Sequence, residues 1–157
     1  MSNTMKAIGL SHYLPVENED CLQDLELPLP KPRPRDLLVK IDCISVNPVD
    51  TKVRSPKAIV EKEPKVLGWD ACGTVVSVGD EVSFFRPGQK VYYAGDITRA
   101  GCNSEYHLVD ERIAGHAPEN LSNEDIAALP LTAITAWELL FDRLGFEQST
   151  TADKTDR

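Results

Sequence analysis

From position 68 onward, glycines punctuate the chain at Gly68, Gly73, Gly79, Gly88, Gly95 and Gly101. Between them lie Thr74 to Val78, Glu81 to Phe85, Lys90 to Tyr93 and Ser104 to Val109, each rich in β-branched or aromatic residues. Gly79-Asp80 and Arg86-Pro87-Gly88 supply turn chemistry. Short strands separated by turns every six to ten residues or so predict a small barrel or sandwich. Ahead of this region, Lys6 to Leu10 reads as a first strand behind a disordered leader, Met1 to Thr4. Alternating prolines at Pro28, Pro30, Pro32 and Pro34 predict an extended connector. Leu37 to Val46 reads as a half-buried strand, with Leu37, Val39, Ile41 and Cys43 on one face and Lys40 and Asp42 on the other. Asn47-Pro48 ends it, and Val49 to Arg54 reads as a short helix or loop.

The last third changes period. Ser122 and Asp125 form a capping-box variant that opens a helix running to Leu129. Pro130 suits the first position of a second helix. There Ala133, Ala136, Trp137, Leu140, Phe141 and Leu144 make one continuous apolar stripe, with Gly145 placed to cap it. Gln148 to Arg157 is polar and aperiodic.

Charge and composition narrow the function classes. The 157 residues carry a net charge of −8 and no basic run, which argues against a phosphate-backbone binder and so against nucleic acid. Ile126 to Trp137, the longest weakly polar run, is too short to span a bilayer and contains Pro130, so no membrane partner is expected. No secretory signal is visible, which predicts a cytoplasmic protein. Cys21, Cys43, Cys72 and Cys102 form no CxxC pair; two disulfides are arithmetically open, but reduced, partly buried thiols are expected. His12, His107 and His116 are scattered, and no metal site is expected from them.

The segment GWDACGTVVSVGDEVSFFRPGQKV, from Gly68 to Val91, resembles the barrel signature of the medium-chain dehydrogenase/reductase superfamily. Gly68, Gly73, Val76, Gly79, Val82, Phe85, Gly88 and Val91 fall in register. The flanking order Ser45-Val46-Asn47-Pro48-Val49-Asp50, then Glu105-Tyr106, then Ala127-Ala128-Leu129-Pro130, is similar too. The resemblance covers nearly the whole chain and is nearest to zinc-type alcohol dehydrogenase-like and quinone oxidoreductase-like proteins. It implies a mainly β fold with flanking helices, a GroES-like irregular β-barrel. It further implies a GroES-like catalytic domain over residues 1–147 and a polar tail, 148–157, leading towards an absent Rossmann domain. No GxGxxG turn occurs in the sequence, so NADPH or NADH would be bound mainly by that absent domain.

The resemblance also implies site residues. Where zinc enzymes of the superfamily carry Cys, His-Glu and a third ligand, this chain has Asn47, Trp69-Asp70 and a position near Thr132, so no zinc is expected. Without a Lewis acid the developing oxyanion needs a hydrogen-bond donor, and Asn47 is the first candidate, both as catalytic group and beside the cofactor. Asp50 matches an acidic position that would orient Asn47 or Lys52. Thr135 matches a threonine placed against the nicotinamide carboxamide. Tyr92 and Tyr93 are candidates for lining the substrate pocket. Three of these have a plain alternative: Asn47 is a good turn residue before Pro48, Asp50 an ordinary helix cap and Thr135 a hydroxyl bonded back to a carbonyl; Trp69 reads as core rather than as a wall of the substrate pocket. The activity implied is NAD(P)H-dependent reduction of a small carbonyl or quinone, the chain alone being inactive. The alternatives are a non-catalytic GroES-like binding or assembly module and, less favoured, a zinc alcohol dehydrogenase domain. A homo-oligomer is left open.

Overall fold

The computed structural model describes residues 3–148; residues 1 and 2 of the predicted leader and the predicted tail beyond Gln148 lie outside them, whereas Thr4, read as the end of that leader, opens the first strand. Strand β1 (Thr4–Tyr13) is the centre of a three-stranded antiparallel sheet, between β2 (Gln23–Pro28) and β4 (Lys57–Val66). The second sheet has five strands: β3 (Asp36–Ile44), β5 (Ala71–Val78), β6 (Lys90–Tyr93), β7 (Tyr106–Asp110) and β8 (Gly115–His116), in the order β7-β3-β5-β6-β8. The architecture is the expected mainly β, GroES-like one, but irregular, and the two sheets do not close into a continuous barrel.

A loop joins the sheets. The amides of Gly101, Cys102 and Asn103 donate to the carbonyls of Val66, Gly68 and Leu67 at 2.9 Å each. Asn103 and Glu105 then engage β1: Ile8 N–H donates to the Asn103 carbonyl (2.8 Å) and Glu105 N–H to the Lys6 carbonyl (2.9 Å). The Glu105 carbonyl in turn accepts from Ile41 in β3 (3.0 Å). At Gly101 a Cβ would lie 2.2 Å from the Leu67 carbonyl carbon, so this seam requires glycine. Gly88, by contrast, serves the turn before β6 through a backbone φ of +91°. The core beneath the five-stranded sheet is Leu37, Val39, Ala71, Val75, Phe85, Val91, Tyr93, Cys102 and Val109.

Three predicted features are corrected. Glu81 to Phe85 is a loop, because the Ser83 and Phe84 amides donate to the buried carboxylate of Glu111 (2.8 Å each) instead of to a neighbouring strand. Cys43 does not share a face with Ile41: a register irregularity between Ile41 and Cys43 in the β3–β5 ladder shifts the alternation, so Cys43 stands opposite Cys72. It packs with Cys72, Ile126 and Ala127. The apolar stripe after Pro130 exists but faces outward. Helix α3 (Pro130–Trp137) continues as a π-helical segment, Glu138–Arg143, and Trp137, Leu140 and Leu144 are exposed. Gly145 closes it with φ +68°, and Phe146 N–H donates to the Leu140 carbonyl (3.0 Å).

Strands β2 and β4 were not legible as elements. β2 alternates between half-buried and exposed residues without a large buried side chain. β4 is an edge strand rich in Lys and Glu and interrupted by Pro64. Two short helices complete the fold: α1 (Pro48–Arg54), and α2 (Asn123–Ala127), which Ser122 caps by accepting from Asp125 N–H at 3.1 Å.

Candidate functional site

The C-terminal end of β3 and the N-terminal end of β5 lie side by side, and Ser45 N–H donates to the Asp70 carbonyl at 2.9 Å. That pairing brings Asn47 and Asp70, 23 positions apart, into contact. Asn47 Nδ2 donates to Asp70 Oδ2 at 3.0 Å. The other carboxylate oxygen, Oδ1, accepts the Leu131 amide from the first turn of α3 at 3.1 Å. Asp70 is wholly buried. Burial pushes its carboxyl above the usual carboxylate range, the hydrogen bonds from Asn47 and Leu131 pull it down, and nearby Asp50 adds to the rise.

Asn47 sits in extended backbone as the N-cap of α1, and its own amide N–H donates to Asp50 Oδ2 at 2.8 Å. Asp50 therefore caps the helix and fixes the Asn47 backbone with one bond. Pro48 at the first helical position needs no amide partner. Nearby Trp69 is buried with Leu10, Tyr13 and Leu67, and Val49 and Val53 pack on that cluster; it is a core residue.

Thr135 is exposed, and its hydroxyl donates to the Leu131 carbonyl at 2.8 Å. Leu131 thus links two of the predicted residues, Asn47 by way of Asp70 and Thr135 directly: its amide donates to Asp70 and its carbonyl accepts from Thr135. Thr132, near the third ligand position of the zinc enzymes, is bonded back to the Ala128 and Leu129 carbonyls at 2.9 Å each.

The two tyrosines separate. Tyr92 and Tyr93 both border a cleft of about 180 Å³ shared with Ile113, Pro130, Ala133 and Ile134. Tyr92 is half-buried and packs towards α2, whereas Tyr93 is buried in the core with its hydroxyl 3.0 Å from His107 Nδ1. His107 Nε2 lies 2.9 Å from the Ala100 carbonyl, which can only accept. The proton is therefore on Nε2, and Tyr93 donates to Nδ1. Desolvation drives His107 down to about 4 and raises the Tyr93 phenol well above its ordinary value. A larger groove of about 610 Å³, bordered by Arg33, Asp96, Arg99, Tyr106 and His107, includes none of the predicted site residues.

Sequence reasoning missed the fixing of Asn47 by Asp70 and the Tyr93–His107 bond. The first was within reach, since Asp70 falls at a ligand position of the resembled family. The second had no sequence signal. Among the described residues, no group of three or more His, Cys, Asp and Glu side chains could hold a metal ion. Nor is any helix among them long and apolar enough to cross a membrane.

Residues 33–119 match the family model for the alcohol dehydrogenase GroES-like domain. A zinc-type alcohol dehydrogenase-like protein of Staphylococcus epidermidis is 43% identical over 150 residues, covering 96% of this chain and 44% of the relative. Among solved structures, a protein from Rhizobium etli CFN 42 described as a zinc-dependent alcohol dehydrogenase superposes with a TM-score of 0.88 at 47% identity. That match covers 97% of this chain and 44% of the other. The quinone oxidoreductase from Coxiella burnetii gives a TM-score of 0.75 at 29% identity, over 87% of this chain and 45% of its own. The chain thus spans less than half the length of the proteins it matches. On the matched domain and on the shared fold, it belongs to the alcohol dehydrogenase GroES-like domain family, within the medium-chain dehydrogenase/reductase oxidoreductases.

Proposed function

We propose that this domain serves a zinc-independent, NAD(P)H-dependent oxidoreductase acting on quinones or α,β-unsaturated carbonyls. The observation that carries the reading is the direct hydrogen bond between Asn47 and Asp70 at positions where zinc enzymes of the superfamily place ligands. An amide, a buried carboxylate committed at both oxygens and a back-bonded threonine are a poor donor set for zinc, which takes three protein ligands and keeps a fourth position open. Likeness to proteins named as zinc-type reflects the fold more than these side chains.

In this reading the nicotinamide, when bound, supplies the hydride. The sequence has no glycine-rich dinucleotide turn, so most of the cofactor would be held outside this chain. Thr135 fits a contact with the carboxamide edge: its hydroxyl proton is spent on Leu131, leaving its oxygen free to accept an N–H. Asn47 has a second amide N–H beyond the one given to Asp70, and it donates to the substrate oxygen as charge develops there. Asp70 holds the amide in orientation, and Asp50 holds the backbone beneath it. Tyr92 and Tyr93 border a small, mainly apolar cleft against α3 that fits the carbon skeleton of such a substrate, although Asn47 does not itself line it. A cytoplasmic setting agrees with four unpaired cysteines.

The test joins the chain to a dinucleotide-binding domain of its relatives and assays quinone reduction. Asn47→Ala should lower kcat by roughly 10²–10³-fold, the effect of losing one oxyanion donor, with the KM for nucleotide little changed. Zinc in the purified protein should be substoichiometric. One tightly held equivalent, lost together with activity on chelation, would overturn the reading.

A further inference from the structure

The irregularity in β3 that turns Cys43 away from Ile41 also gives it a partner. Cys43 and Cys72 are directly opposed in the β3–β5 ladder and share one packed cluster against α2. Opposed residues of an antiparallel pair have Cα atoms about 4.5–5.5 Å apart, inside the span of about 4.4–6.8 Å that a disulfide bridges. Neither thiol is bonded to another cysteine. The two differ in access: Cys43 is half-buried, while Cys72 is fully buried beneath Ile126 and Ala127. The remaining cysteines differ from this pair. Cys21 lies at the surface turn before β2, and Cys102 is buried in the core below the five-stranded sheet with its thiol 3.6 Å from the Asp70 carbonyl.

From this geometry we infer that Cys43 and Cys72 form a redox-modification site, in which a hydroperoxide oxidises Cys43 and Cys72 resolves it to an intramolecular disulfide. In the first step the Cys43 sulfur attacks the hydroperoxide. The O–O bond breaks, an S–O bond forms, and Cys43 becomes a sulfenic acid as the peroxide is reduced to an alcohol, or to water for hydrogen peroxide. In the second step the Cys72 sulfur attacks the Cys43 sulfur. The S–S bond forms, the S–O bond breaks, and the departing hydroxide takes the Cys72 proton as water. Two thiols lose two electrons in all, and one O–O bond gains them.

The surroundings set the pace. Burial raises both thiols, Cys72 to about 11; Glu124 and Asp42 add to the rise, and Lys90 opposes it for each. The thiolate needed for the first step is therefore scarce at neutral pH, and the reaction is slow there and faster in mild alkali. The bridge falls next to the site. Cys43 is two residues before Ser45, whose amide holds the Asp70 carbonyl, and Cys72 is two residues after Asp70. Closing it cross-links the two strand ends that deliver Asn47 and Asp70.

The test treats the native 157-residue chain with hydrogen peroxide in mildly alkaline buffer, blocks remaining thiols, and maps peptides without reduction. A peptide linking Cys43 to Cys72 should be the major product at Cys43, with the circular dichroism spectrum unchanged and full reversal by dithiothreitol. In Cys43→Ser the link should vanish and Cys72 should stay unmodified, because the oxidant enters through Cys43. Overoxidation of Cys43 without a link, a link to Cys21 or Cys102 instead, no reaction at either thiol, or oxidation of Cys72 in Cys43→Ser would each overturn the inference.

Discussion

In the five-stranded sheet, Leu37 and Val39 have no exposed surface and Val75 and Val109 have 1% and 2%; along the helical segment after Pro130, Trp137, Leu139 and Leu144 keep 51%, 52% and 61%. Both regions are apolar by pattern, one with period two and the other with helical period. The sheet finds its cover within the chain, from the loop carrying Phe85 and from its own strands. Trp137, Leu139, Leu140 and Leu144 of the helical segment find no such cover among the described residues. Apolar periodicity thus reports which side of an element avoids water, and leaves open whether the same chain provides the cover.

Four measurements break or sharpen that contrast. Leu37→Ala should cost about 2–5 kcal/mol of stability, seen as a lower denaturant midpoint, because it opens a cavity in a closed core. The next effect concerns a polar group in that core. His107 is held neutral with a folded pKa of about 4 against an ordinary 6.5. Between those values the unfolded chain binds the extra proton, so stability falls as pH drops from about 6.5 to 4, by on the order of 3 kcal/mol in total. Denaturation curves from pH 7 down to 4 should show this slope, and His107→Gln should flatten it; an unchanged slope would assign it to other groups. Asp50→Ala removes the acceptor for the Asn47 amide at the start of α1 and should cost about 1 kcal/mol. Leu140→Ser, on the outward face, should change stability by less than about 0.5 kcal/mol. A loss there as large as that of Leu37→Ala would mean that the face is covered in solution.

The parts of the fold that could be read from sequence are those whose cause is local. Lys90 to Tyr93 alternates between turns and is a strand; Ser122 and Asp125 cap a helix as their spacing implies. Glu81 to Phe85 has the composition of a strand, but the backbone bonds of Ser83 and Phe84 go to Glu111, and nothing in the segment announces so distant an acceptor. Simple alternation puts Cys43 on the face of Ile41, and the one-residue irregularity that turns it away has no signature in composition. The site divides the same way. Asn47 and Asp50 could be placed by motif, and their mutual bond follows from cap spacing. Asp70's grip on Asn47 depends on how β3 pairs with β5, and Tyr93's bond to His107 on how β6 and β7 flank the core.

The edge strand β4 has a consequence for how the molecule behaves at high concentration. A free strand edge is a template on which another chain can add, and Ile59 and Val60 are exposed there. Yet Lys57, Glu61, Lys62, Glu63 and Lys65 line the same strand, and Pro64 removes one donor from its ladder. Pairing a second copy along this border would bury those charged side chains and lacks one amide donor, and both work against stacking. The apolar helical face and this charged sheet margin therefore differ in how readily a second copy could add to them.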